Sequence, residues 1–151
     1  MRCFPLAIIA LILSNTSYSA VEVAAWSRAT PLGATSGAIY GRFENIGDSS
    51  VEVISVGIDF ADYAMIHESH YHEGMASMKE SELFIPALSA VELKPGGKHI
   101  MLFGLDRRLL EGCSYSFRLS WGDGSTSSHR FLAGGIDQLV RPETSTIKPC
   151  Y

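Results

Sequence analysis

Tyr115-Ser116-Phe117-Arg118-Leu119-Ser120-Trp121-Gly122-Asp123-Gly124 is the stretch that decides the fold class. Large apolar residues take every second position and polar ones fill the gaps, the period of a half-buried strand. Gly122-Asp123-Gly124 then supplies an Asp-Gly hairpin signal, which turns the chain back along Ser127 to Leu132. The same alternation runs upstream. His99, Met101 and Phe103 alternate with Ile100 and Leu102, after the turn signal Lys94-Pro95-Gly96-Gly97. Tyr63, Met65 and His67 share one face against Ala64 and Ile66, and Val51, Val53 and Ser55 alternate with Glu52, Ile54 and Val56. Further strand-like segments lie at Val21–Trp26, Ala38–Glu44, Met75–Lys79, Leu83–Ile85 and Val91–Leu93. No stretch sustains a helical period; Leu105 to Gly112 is expected to form a single helical turn. About seven to nine short strands separated by turns predict an all-β chain, an antiparallel β-sandwich with Greek-key connections.

The chain has 151 residues, 46% hydrophobic and 19% charged, with a formal net charge of -4. That length suits one domain. The mildly acidic balance, without a Lys/Arg cluster, argues against nucleic acid as a partner. At the start, Met1-Arg2 and the apolar run Cys3 to Leu13 precede the small and polar residues Ser14 to Ala20. This is the layout of an export signal, with Ser17 and Ser19 at the -3 and -1 positions of the cleavage site. The run is shorter than the roughly 20 residues a membrane-spanning helix needs. The expected organisation is a signal peptide over 1–19, a β-sandwich over 20–132 and a polar tail over 133–151. The expected location is the periplasm, with no membrane span left after cleavage. Cys113 and Cys150 would remain in the mature chain, and an oxidising compartment makes a disulfide between them plausible.

The chemistry-bearing residues gather in one region. Met75, Met78 and Met101 lie between His67 and Met101, with His67, His70, His72 and His99. His99 and Met101 are two apart on one strand, so both side chains leave the same face; Met65 and His67 do likewise. Met78 sits on a segment able to fold back beside His67. Thioether sulfur is soft and favours Cu(I), imidazole suits several transition metals, and zinc sites are seldom built on thioethers. Methionine also fills cores, so the residues alone leave two readings open: a Cu(I) site or ordinary packing.

The pattern His67 … Met78 … His99-x-Met101 resembles the signature of the periplasmic PCu(A)C-type copper chaperones. In that family ten residues separate the first His from the Met and twenty-one separate the Met from His-x-Met. Here the intervals are ten and twenty, a one-residue shortening before Phe84-Ile85-Pro86-Ala87. Ala25-Trp26-Ser27-Arg28-Ala29-Thr30-Pro31, Ala38-Ile39-Tyr40 with Asn45-Ile46-Gly47, and Leu93 to Leu105 are similar to the family's flanking segments. The resemblance covers Val21 to Leu132. It implies a cupredoxin-like sandwich that is not an enzyme and binds Cu(I) through His67, Met78, His99 and Met101. It also implies delivery of copper to an acceptor, the CuA-bearing subunit of a respiratory oxidase or another copper chaperone. Met65 is a neighbour of that set.

Other readings fit less well. His67-Glu68-Ser69-His70-Tyr71-His72 lacks the His-Glu-x-x-His spacing of a zinc hydrolase. A blue-copper carrier wants a cysteine with two histidines, and no histidine follows Cys113 closely. A metal-free secreted sandwich that serves as an interaction module explains the strands and the leader but not the Met/His set. His70, His72 and Glu73 are expected in an exposed loop, either simply solvated or forming a secondary Cu(II) site. His129 is expected on a strand surface, not as a ligand.

Overall fold

The computed structural model describes residues 20–143 and 148–150. The expected signal peptide lies outside the described residues. Eleven strands follow in order: β1 (Val21–Arg28), β2 (Ser36–Asn45), β3 (Val51–Gly57), β4 (Tyr63–His72), β5 (Met75–Glu80), β6 (Leu83–Ile85), β7 (Ser89–Leu93), β8 (Lys98–Phe103), β9 (Cys113–Trp121), β10 (Thr126–Gly134) and β11 (Lys148–Pro149). The described residues contain no helix, in keeping with the all-β expectation. Hydrogen bonding runs β11-β9-β10-β1-β2-β8-β4-β3-β6, with β5 on β4 and β7 on β2, and β9 also pairs with β3. That last pairing closes the sheet around one core, so the β-sandwich is joined along both sides.

The core is what the alternation promised. Phe117 and Leu119 of β9 and Phe131 of β10 point inward with Ile39, Phe43, Leu93, Ile100 and Leu102. Burying side chains of this size contributes about 1.5–3 kcal/mol each. Phe131 lies between Tyr115 and Phe117, with ring centroids 5.5 and 5.9 Å away. The β9–β10 hairpin forms as read, except that β10 continues past Leu132. Ala133 and Gly134 pair with Ser27 and Arg28, and Ala133 belongs to the core.

Pairing is antiparallel with two exceptions: β1 lies parallel to β10, and β11 parallel to β9. Long crossovers bring these strands together, so no turn dictates their relative direction. The expected helical turn at Leu105 to Gly112 is also absent; the segment contains only bends and a turn. Its backbone groups bond elsewhere. Thr30 N–H donates to the Leu109 carbonyl and Leu109 N–H to Thr30 Oγ1, both at 2.9 Å. The Tyr115 hydroxyl accepts from Leu110 N–H at 2.8 Å.

Two local devices shape the surroundings of the site. The first half of β2 pairs with β8 (Ser36 to Ile39) and its second half with β7 (Gly41 to Asn45). The switch falls at Gly41, whose φ of 148° and close approach to the Ala24 backbone leave no room for a side chain. The second device is the Cys113–Cys150 disulfide, with Cα atoms 5.4 Å apart, which ties the tail to β9.

Candidate metal centre

Three strands build the site: β8, β4 and β5. β4 lies antiparallel between the other two, with His67 opposite His99 on one side and Glu80 on the other. Two residue pairs further along, Met65 faces Met101; two pairs in the other direction, Ser69 faces Met78. Directly paired residues share a face. Met65, His67, His99, Met101 and Met78 therefore all stand on one side of this three-stranded patch. Both registers run without a bulge.

A cavity of about 520 Å³ opens on that side. Met78, His99 and Met101 line it, with His70 and Tyr71 from the same hairpin and Tyr40 and Arg28 from β2 and β1. His67 stands beside the cavity and not in its wall. Its ring is edge-on to His99, with centroids 6.2 Å apart, and edge-on to Phe103 at 5.6 Å. The structure thus brings His67, His99 and Met101 onto adjoining positions, and Met78 reaches the same cavity from the neighbouring hairpin.

His99 is the most constrained of the four, at 4% exposure. Its Nδ1–H donates to the Gly97 carbonyl at 2.9 Å. A carbonyl only accepts, so this bond places the proton on Nδ1 and leaves the Nε2 lone pair free. That arrangement orients a metal-binding imidazole and fixes its tautomer. Tyr40 packs against the His99 ring at 6.2 Å and is itself backed by Trp26 at 4.9 Å. Arg28 lies over Tyr40 at 6.0 Å, and its Nε–H donates to the Gln138 carbonyl at 2.6 Å. Burial pushes the Tyr40 phenol up from its usual range, partly opposed by the Arg28 charge. Tyr40 therefore stays neutral and serves as an aromatic wall.

Met78 is the opposite case. It is 59% exposed, on a hairpin whose outer strand β5 is exposed throughout. Met65 and Met101 are half-buried. Chemically, two imidazoles with thioethers around them suit a soft cation; among the described residues, no three His, Cys, Asp or Glu side chains gather as a harder site would require.

Sequence reasoning missed Tyr40 and Arg28, which reach the site from β2 and β1 and carry no spacing signal. Glu80 was missed as well; only the hairpin register puts it beside His67. The expected exposed loop at His70, His72 and Glu73 is instead the end of the β4–β5 hairpin, turned by Glu73 and Gly74. His70 and His72 alternate with His67, Ser69 and Tyr71, and so belong to the hairpin's other face. His129 lies on β10, where Ser127 Oγ sits 2.7 Å from its Nε2, far in the chain from the Met/His set.

Residues 21–131 match the family model described as "Putative lipoprotein LpqE-like". The chain belongs to the LpqE-like family. "Putative lipoprotein Lxx21020" of Leifsonia xyli subsp. xyli (strain CTCB07) is 37% identical over 105 residues, which are 68% of this chain and 62% of that protein. The LpqE-like chain thus spans about three fifths of the length of that curated relative. Among solved structures, the apo PCuAC domain from PmoF1 superposes with a TM-score of 0.66 at 20% identity, covering 77% of this chain and 94% of that one. The solution structure of CuI-DR1885 from Deinococcus radiodurans gives 0.65 at 25% identity, covering 83% and 85%. The fold of this LpqE-like chain is therefore the cupredoxin-like β-sandwich of PCuAC domains.

Proposed function

We propose that the chain is an exported, non-enzymatic copper chaperone that carries Cu(I) on His67, Met78, His99 and Met101 and passes it to an acceptor protein. The observation that carries this reading is the arrangement around His99: a buried ring, its Nδ1–H committed to Gly97, and its cavity shared with the thioethers Met78 and Met101. Two imidazoles and two thioethers form a neutral, soft donor set, which favours Cu(I) over Cu(II) and over zinc. Two solved relatives hold copper by their own descriptions, the copper-bound PCuAC domain from PmoF2 and CuI-DR1885.

The donors differ in how firmly the fold holds them. His99 and Met101 stand on a central strand, His99 fixed by a hydrogen bond, whereas Met78 is an exposed side chain on an edge hairpin. A metal held this way is reachable from one side, and Met78 is the donor an acceptor's ligand displaces first. The acceptor is a copper-binding partner, the CuA centre of a respiratory oxidase or another copper chaperone. The periplasmic location rests on the leader sequence, the lipoprotein description of the family and the disulfide, which persists in oxidising compartments. Among the described residues no helix is long and apolar enough to cross a membrane.

The test is competition against a chromophoric Cu(I) chelator under reducing conditions. Met78→Leu and Met101→Leu nearly conserve volume and keep the fold. Each should weaken Cu(I) binding by about tenfold or more, since even residues behind the ligands are worth that much. Met65→Leu should change it by less. Equal affinities for wild type and both ligand variants would refute the thioether site and favour a metal-free interaction module instead.

A further inference from the structure

The far face of the β4–β5 hairpin carries a second set of metal donors. Glu73 and Gly74 form its two-residue turn, with φ values of 50° and 81°. Two successive positive φ values are the signature of a type I′ turn, which matches the twist of the strands and fixes their register. That register sets His72 opposite Met75 and His70 opposite Ser77. Paired residues and those two apart share a face, so His70, His72 and Met75 stand together on the face opposite His67 and Met78, although His70 also borders the cavity that Met78 lines.

Their spacing suits a chelate. Directly paired Cβ atoms lie about 4.5–5.5 Å apart, and residues two apart on a strand about 6.6 Å. Within those distances two imidazoles and the thioether across from them can turn onto one ion. All three residues are exposed, Met75 at 72%. Among the described residues neither His70 nor His72 has a side-chain hydrogen bond or ion pair. Their donor atoms are therefore available, and the turn holds the backbone that carries them. Packing does not account for Met75, because the hairpin end has no core on that face.

We propose that His70, His72 and Met75 form a second copper site, which takes Cu(II) on the two imidazoles with the Met75 thioether as third donor. A set dominated by nitrogen accepts Cu(II), unlike the balanced thioether set on the other face. One hairpin thus presents copper ligands of different softness on its two sides, Met78 on one and Met75 on the other. The choice of copper as the ion rests on the proposed function; the donor geometry does not.

The experiment is a Cu(II) titration of the oxidised mature chain against a competing chelator, with electron paramagnetic resonance to detect nitrogen coupling. Wild type should bind one strongly held Cu(II) with coupling to two imidazole nitrogens. His70→Ala with His72→Ala should weaken it by at least tenfold, and Met75→Leu by about threefold. Met78→Leu should leave it unchanged. These exposed substitutions keep the fold, which far-UV circular dichroism checks. Equal Cu(II) affinity for wild type and either hairpin variant overturns the site, and so does a loss on Met78→Leu, which would put Cu(II) in the cavity. Cu(I) competition is read separately: if the hairpin fails while Cu(I) binding still depends on Met78 and Met101, the chaperone reading stands alone.

Discussion

Removing the disulfide should separate stability from metal binding. Cys113 is 4% exposed and part of the core, Cys150 packs against that core, and the bond closes a loop of sequence separation 37. In the chain-entropy model a loop of that size restricts the unfolded state by about 4 kcal/mol, within the range of about 2–5 kcal/mol for native disulfides. Among the described residues of the tail, β11 adds the pairs Lys148–Cys113 and Pro149–Ser114, and Arg28 Nε–H donates to the Gln138 carbonyl. At about 4 °C per kcal/mol for a domain of this size, Cys113→Ala with Cys150→Ala should lower Tm by about 15 °C. The assay is thermal unfolding followed by circular dichroism, with wild type under reductant as a control that should fall to the same Tm. No proposed copper ligand lies on β9 or in the tail, so below the new Tm Cu(I) affinity should match wild type. A Tm drop under about 3 °C would refute the loop argument. A large loss of Cu(I) affinity in the folded variant would show that the tail supports the site.

His129 provides a pH test. Burial lowers its pKa below the usual imidazole value, and its Nε2 accepts from Ser127 Oγ, which in turn accepts from Trp121 Nε1–H at 2.8 Å. The fold thus prefers neutral His129 while the unfolded chain protonates near pH 6.5, so its stabilisation is present above about pH 6.5 and lost as pH falls through the depressed folded value. Chemical denaturation of wild type and His129→Gln at pH 7.5 and pH 5 should show a smaller acid loss in the variant; equal losses would dismiss this cause. Gly41→Ala should destabilise by about 3 kcal/mol or more, because its Cβ meets the Ala24 carbonyl and its φ is left-handed. A denaturation midpoint unchanged by Gly41→Ala would mean that β2 shifts freely at the switch between β8 and β7.

What the sequence made legible was local, and what it hid was pairing. Alternation alone marks the strands that supply Phe117, Leu119, Ile100 and Leu102, because a one-residue slip would put each of them in water. It likewise places His99 and Met101 on one face without reference to any other strand. Opposition of His67 to His99 is another matter: thirty-one intervening residues must fold before that register exists, and no residue in either strand announces it. The parallel docking of β1 on β10 is hidden for the same reason, as is the wall that Tyr40 and Arg28 raise beside His99. The hairpin shows the boundary between the two kinds of information. Glu73-Gly74 is not Asn-Gly or Asp-Gly, so its turn reads weakly, and three polar residues before it look like a loop. Once the turn closes, alternation takes over again and sorts Met78 to one face and His70, His72 and Met75 to the other. A misread turn therefore hid the division between two donor sets, although every donor in them was already visible as a residue.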